Sequence, residues 1–232
     1  SAKWAAYAER ARWPMRWVYR REARSVSVLE RRALSECRAV VLVSEAETKA
    51  LGAPSDKVLA VGNGVDTEYF HPVRESSAAG PPSLVFTGTM DYRPNVEGVG
   101  WFVSEVWPGV REQLGDATFT IVGRDPVPAV RRLARVPGVA VTGSVPDVRP
   151  YLGRATVAVA PLWIARGVQN KILEAMAMAR PVLGTPAAIE GLDVAIGRDV
   201  LQAESPDEWR QAVVDLCRDP IRCLALGRAA RQ

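Results

Sequence analysis

Lys171 and Glu174 stand three residues apart, about one helical turn, with Arg166, Gly167, Val168, Gln169 and Asn170 just ahead of them. At that spacing the two side chains share a helix face. An ammonium placed there meets a phosphate, and a carboxylate one turn on accepts hydrogen bonds from a pair of hydroxyls. On a solvated face the same two groups form an ordinary surface ion pair. The pattern after Gly167 predicts a helix over 168–179. The first amides of a helix have no partner inside it and stand at its positive dipole end, which suits a diphosphate. Arg166, Gly167, Val168, Lys171 and Glu174 are therefore candidates for holding an anion that also carries hydroxyls.

Those residues need a scaffold, and the chain around them supplies a regular one. Continuous apolar runs predict strands at 84–87, 118–122, 139–142, 156–160 and 182–184, with a weaker one at 200–202. Helices are predicted at 95–113, 127–135, 147–153, 168–179 and from 206 onward. Strands alternating with helices mean an α/β fold with a Rossmann-like, doubly wound parallel sheet covered on both faces. Three strands end in glycine followed by a polar residue: Gly88-Thr89, Gly123-Arg124 and Gly143-Ser144. Open α/β sheets bind ligands at the carboxyl ends of their strands, and glycine lets backbone come close to one. Gly98 and Gly100 fall inside a predicted helix and read as close packing.

The preceding part is different in character. Residues 8–36 predict one or two arginine-rich helices, with Trp4, Tyr7, Trp13 and Trp17 nearby. Trp13 and Trp17 are four apart and are expected on one helix face, with Pro14 in a first turn. A strand at 39–43 leads to a helix ending at Leu51, capped by Ser44, with Glu47 placed for a capping box. Another strand follows at 58–61. Residues 74–82 are polar and rich in breakers, and read as a linker and domain boundary.

Several function classes are excluded. The 232 residues carry a net charge of +4, but residues 1–36 hold nine Lys/Arg against four Glu, so the remainder is close to neutral. That is not a nucleic-acid-binding domain. A single histidine, His71, rules out a multi-histidine metal site and reads as a surface loop residue. Cys37, Cys217 and Cys223 form no CxxC pair and read as free thiols of a cytoplasmic protein. No apolar run reaches the ~18 residues of a membrane span, and no signal peptide opens the chain. The nicotinamide fingerprint fails after Gly62-Asn63-Gly64, where Thr67 replaces the third glycine, and no P-loop occurs.

Several segments resemble the family-4 GT-B glycosyltransferases, group 1. They are Val61-Gly62-Asn63-Gly64-Val65-Asp66 with Phe70-His71-Pro72, Phe86-Thr87-Gly88, Ile121-Val122-Gly123-Arg124, and Val141 to Val145 with Tyr151-Leu152. The run from Gly167 to Val182, with Leu173-Glu174-Ala175-Met176-Ala177, is the most specific. The branch most similar is the exopolysaccharide-type sugar transferases. The resemblance implies two Rossmann-like domains facing a cleft, with the nucleotide-sugar on the second. Residues 1–73 would be the end of the first, acceptor domain plus the interdomain segment, 74–82 a linker, and 83–232 the donor domain. The chain then reads as a fragment, inactive alone, whose acceptor-side catalytic residues lie outside it.

The same resemblance implies a retaining transferase using a nucleoside-diphosphate sugar of UDP or GDP type. Glu174 would grip the ribose hydroxyls, Gly167, Val168 and Lys171 the diphosphate, and Ser144–Val145 would line the base. The family's first paired glutamate is replaced by Arg166, and its arginine and lysine on the first donor turn by Thr89 and Pro94. Lys171, Arg166, Arg124 or Arg93 would then supply the positive charge. No DxD occurs, so neither metal nor cofactor is implied. A sugar or lipid-linked acceptor is expected, with peripheral membrane contact through residues 1–36 or plain packing of that segment as alternatives. A nucleotide-sugar 2-epimerase, a non-catalytic nucleotide-binding module and a structural protein remain open.

Overall fold

The computed structural model describes residues 1–52, 56–72, 80–165 and 167–232. The chain forms two compact units, divided at Asn63/Gly64, with residues 164–169 and 190–192 belonging to the first. Most of the expected linker, residues 74–79, lies outside the described residues, as does Arg166.

In the first unit, helix α1 (Ala2–Arg10) packs on α2 (Met15–Glu36). The contact is aromatic: the Tyr19 ring lies 5.8 Å from that of Trp4 and 5.6 Å from that of Tyr7. Because α2 starts only after Pro14, Trp13 is outside it and 85% exposed, and the expected Trp13–Trp17 helical pair does not form. Strands β1 (Val40–Leu42) and β2 (Val58–Ala60) pair in parallel around α3 (Glu45–Leu51). The Ser44 hydroxyl accepts the Glu47 N–H at 3.2 Å, the expected N-cap.

The second unit is built on a six-stranded parallel sheet. Its strands are β3 (Ser83–Thr87), β4 (Thr118–Val122), β5 (Val139–Val141), β6 (Val157–Ala160), β7 (Val182–Gly184) and β8 (Leu201–Gln202), in spatial order β5-β4-β3-β6-β7-β8. The helices are α4 (Arg93–Trp101), α5 (Trp107–Leu114), α6 (Pro128–Leu133), α7 (Arg149–Arg154), α8 (Asn170–Ala177), α9 (Pro186–Ile189), α10 (Pro206–Arg218) and α11 (Pro220–Arg231). The single helix expected over 95–113 is interrupted by a π-helical turn, Phe102–Val106, just ahead of Pro108. Proline has no N–H to return to the turn before it, and its ring crowds the carbonyl four residues back. A widened turn accommodates both demands.

Burial follows the strand pattern. All four residues of β6 and four of five in β3 are buried, as expected of strands covered on both faces. Phe86, Phe102, Trp107, Phe119 and Trp209 are the largest buried side chains, and Phe102 meets Phe119 at 4.9 Å and Trp209 at 5.7 Å. A Cβ on Gly98 would come 2.3 Å from the Pro161 carbonyl oxygen, so close packing of α4 demands glycine there, as expected; Gly100 has open space around it. Arg149 stacks over Tyr69, 3.7 Å from its ring centre. Arg231 donates to the carbonyls of Phe70, Thr67 and Ala177, tying residues 67–70 to α11 and α8.

Candidate functional site

The order of the strands sets where a ligand fits. The chain enters the large sheet at β3, winds outward through β4 and β5, then returns to β6 on the other side of β3 and winds outward again. The direction reverses between β3 and β6, and open α/β sheets bind ligands at the carboxyl ends of the strands at such a point. The turns there are sewn together by backbone. Gly88 N–H donates to the Val122 carbonyl at 3.0 Å, Met90 N–H to Arg124 at 2.8 Å, and Gly123 N–H to Gly143 at 3.3 Å.

The three strand-end glycines do not share one reason. A Cβ on Gly123 would stand 1.6 Å from the Gly88 carbonyl oxygen. On Gly88 it would stand 2.7 Å from Asn95 Nδ2 and 3.2 Å from Lys171 Nζ. Both are required by the close approach of neighbouring protein groups. Only Gly143 faces open space, and its φ of +73° lies in the left-handed region.

Lys171, in the first turn of α8, reaches the β3 end. Its Nζ donates to Asn95 Oδ1 at 2.7 Å and stands 4.5 Å from the centre of the Phe86 ring. Asn95 is buried in the first turn of α4, and its Nδ2 donates to the Thr89 carbonyl at 2.8 Å. One amide thus ties the turn after β3 to the ammonium. Burial beside Phe86 pushes Lys171 down from its ordinary 10.5 to about 7, against the pull of Glu174. Burial raises Glu174 above the usual carboxylate range, and Lys171 opposes that shift. No hydrogen bond from a described residue reaches the Glu174 carboxylate. The result is a desolvated ammonium at the switch point with an accepting carboxylate one turn along the same helix.

The other expected residues make contacts of their own. Arg93 Nε is engaged by Glu97 at 2.6 Å, and Arg124 is 70% exposed with Asp125 at 3.9 Å. Ser144 is exposed and Val145 half-buried on the turn after β5. Helix α8 begins at Asn170, two residues later than expected, so Gly167 and Val168 supply none of its helical amides. Both belong to the first unit, where a Cβ on Gly167 would come 2.7 Å from Val43 Cγ2. Gly191 lies against the Gly167 carbonyl in that unit, beside Glu190. His71 is exposed, its Nδ1 3.0 Å from the Glu68 carbonyl, as expected of a loop histidine. The structure therefore gathers Gly88, Thr89, Lys171 and Glu174, and adds Asn95 and Phe86, which the spacing did not single out. A polar residue directly after proline in the turn behind Gly88 was the available signal for Asn95.

Comparison with known proteins fits this frame. The family model for glycosyl transferases group 1 matches residues 81–219. No curated protein sequence matches the chain. Among solved structures, Anabaena HepE in complex with UDP and glucose is 15% identical, with a TM-score of 0.70 over 86% of this chain and 58% of its own. A mutant of S. aureus TarM in complex with Fondaparinux, alpha-GlcNAc-glycerol and UDP is 14% identical, with a TM-score of 0.72, covering 86% and 41%. Sucrose-phosphate synthase from Thermosynechococcus elongatus is 19% identical, with a TM-score of 0.73, covering 90% and 56%. At such identities these establish the fold, and the chain spans about half the length of those proteins.

Proposed function

Because the chain belongs to the glycosyl transferases group 1, we propose that it carries the donor-binding part of an enzyme that transfers sugar from a nucleoside diphosphate. The observation that supports this most is the desolvated Lys171 ammonium at the β3/β6 switch point, with Glu174 one turn further on. An anion there replaces the hydration that Lys171 gave up on burial. A diphosphate does so with two phosphates, and Glu174 accepts from the ribose hydroxyls of the same molecule. When the sugar leaves, negative charge grows on the diphosphate, and a preset cation stabilises it without a metal. Gly88, Thr89 and the turn at Ser144–Val145 are assigned to the rest of the donor site, with Arg93 and Arg124 as supporting cations; the expected role of Arg166 lies outside the described residues.

In this reading residues 83–232 are the donor domain and residues 1–73 the end of an acceptor domain. The enzyme is retaining, works in the cytoplasm on a sugar or lipid-linked acceptor in polysaccharide synthesis, and is inactive as this fragment. Among the described residues no helix is long and apolar enough to cross a membrane. Peripheral contact through the basic residues 1–36 belongs to the same proposal.

The UDP held by HepE and TarM makes uridine nucleotides the first donors to test. A thermal-shift screen of UDP, GDP, ADP and their sugars checks the reading. A saturable rise in melting temperature with one nucleoside diphosphate is expected, worth about 2.7 kcal/mol at about 100-fold excess over Kd. No shift with any of them at millimolar concentration would overturn it.

A further inference from the structure

A second cleft opens at the opposite, amino-terminal edge of the large sheet. It measures about 190 Å³ and lies under the start of β3 and the residues leading into β6, against the turn joining α10 to α11. Arg154 and Arg180 line it, with Cys217 and Cys223, and no Asp or Glu does. Neither arginine has an ion-pair partner among the described residues.

Arg180 is held in place by the chain around it. Its N–H donates to the Ala175 carbonyl at 2.9 Å, and its Nη1 to the Ala155 carbonyl at 3.1 Å. Its Nε is buried without a partner. Nε is closed to solvent, whereas Nη2 has no acceptor from any described residue and is the guanidinium nitrogen left to take an oxygen from the cleft that Arg180 lines. Burial lowers Arg180 from the usual arginine range, opposed by Cys223, so the charge sits in an unfavourable medium.

No carboxylate lines the polar wall, although the charge of Asp219 reaches Cys223. Ser83 Oγ donates to the Arg154 carbonyl at 2.8 Å, and Thr156 Oγ1 accepts the Ser83 N–H at 3.1 Å. Cys223 faces the Thr156 carbonyl at 3.5 Å, and burial raises both thiols, Cys217 to about 12, so neither supplies a thiolate. Asp219, at the start of α11, accepts the Arg222 N–H at 2.9 Å. Pro81, Pro82, Leu216 and Leu224 make the remaining surface apolar.

We propose that this cleft binds a small organic oxyanion, a carboxylate or phosphate ester on a short apolar body, through Nη2 of Arg180 and the guanidinium of Arg154. The volume matches about six waters, which suits one compact molecule and not a nucleotide. The site lies at the other edge of the sheet from Lys171 and stands independently of the donor reading.

The test is a melting-temperature titration with phenyl phosphate and benzoate, with phenol as the uncharged control. Both anions are expected to give a saturable rise and phenol none. Arg154→Gln, which replaces an exposed side chain, and Arg180→Gln should each weaken anion binding about tenfold or more. In Lys171→Ala, which lacks the donor-site cation, the saturable rise with both anions should persist. Absence of a saturable rise, an equal rise with phenol, or binding lost in Lys171→Ala yet undiminished in Arg154→Gln would overturn the assignment. Should Arg180→Gln fail to fold, Arg154→Gln carries the decision.

Discussion

The ammonium of Lys171 donates to Oδ1 of Asn95 over 2.7 Å, while Nδ2 of the same amide donates to the Thr89 carbonyl at 2.8 Å. Asn95 therefore fixes both the cation and the turn after β3 against one another. Removing it frees Lys171 to move, leaves the buried ammonium without its amide partner, and takes from the part-buried Thr89 carbonyl one of its two donors, the other being Tyr92 N–H at 3.4 Å. Asn95→Ala is expected to destabilise the fold by about 1–3 kcal/mol. It should also weaken nucleoside-diphosphate binding more than nucleoside binding. Denaturant unfolding and calorimetric titration measure the two effects, and equal losses for both ligands would remove Asn95 from the site.

Lys171 makes stability depend on pH with a definite sign. Its folded value, about 7, lies below its ordinary 10.5, so the unfolded chain binds the proton more readily. The cost of burying the charge is fully present below about 7 and is relieved as pH rises toward 10.5. Lys171→Met is therefore expected to raise the melting temperature at pH 6, with the gain shrinking steadily as pH rises toward 10.5. A gain that grows with pH would contradict the burial of the ammonium.

The same titration couples to ligand binding. A diphosphate favours the charged form, so binding above pH 7 takes up a proton. Affinity for UDP or GDP should fall between pH 7 and 9, by up to about tenfold per unit. Calorimetry in buffers of different ionisation enthalpy reads the proton uptake directly. In Lys171→Ala both the pH dependence and the uptake should disappear.

Glu174→Ala should weaken nucleotide binding by about 1.5–3 kcal/mol, the range for hydrogen bonds to a charged group. The loss should be much smaller for a 2′,3′-dideoxynucleotide, which has no hydroxyls to present. Equal losses for both would show that Glu174 does not hold the ribose.

Glycines at two strand ends separate crowding from backbone conformation. Gly123→Ala drives a methyl to 1.6 Å from the Gly88 carbonyl oxygen and should cost at least about 3 kcal/mol. Gly143→Ala meets no atom within 4 Å but holds a φ of +73°, and should cost about 1–2 kcal/mol. Urea unfolding of the two variants distinguishes them.

Much of this architecture was legible in the residues. The strands of the large sheet are continuous apolar runs because both faces are buried, and 118–122 and 182–184 match the observed β4 and β7 to the residue. Other features depend on contacts that spacing does not encode. The apolar positions of Phe102, Val103 and Val106 suit an α-helix as well as a π-turn, so the interruption ahead of Pro108 was invisible. Gly167 and Val168 stay outside α8 and pack in the first unit, which local propensity does not reveal. The place of three glycines at strand ends suggests room for a ligand, whereas Gly88 and Gly123 make room for Lys171, Asn95 and each other. The pairing of Lys171 with Glu174 was readable because helix geometry alone places them together. Its depth at the switch point came only from the strand order.

The central claim is that a nucleoside diphosphate sits at the β3/β6 switch point against Lys171. A crystal structure of the protein soaked with millimolar UDP or GDP tests this most directly. The account predicts diphosphate oxygens within hydrogen-bonding distance of Lys171 Nζ and ribose hydroxyls on the Glu174 carboxylate. Nucleotide bound at another edge of the sheet, or diphosphate density that leaves Lys171 paired only with Asn95, would contradict it.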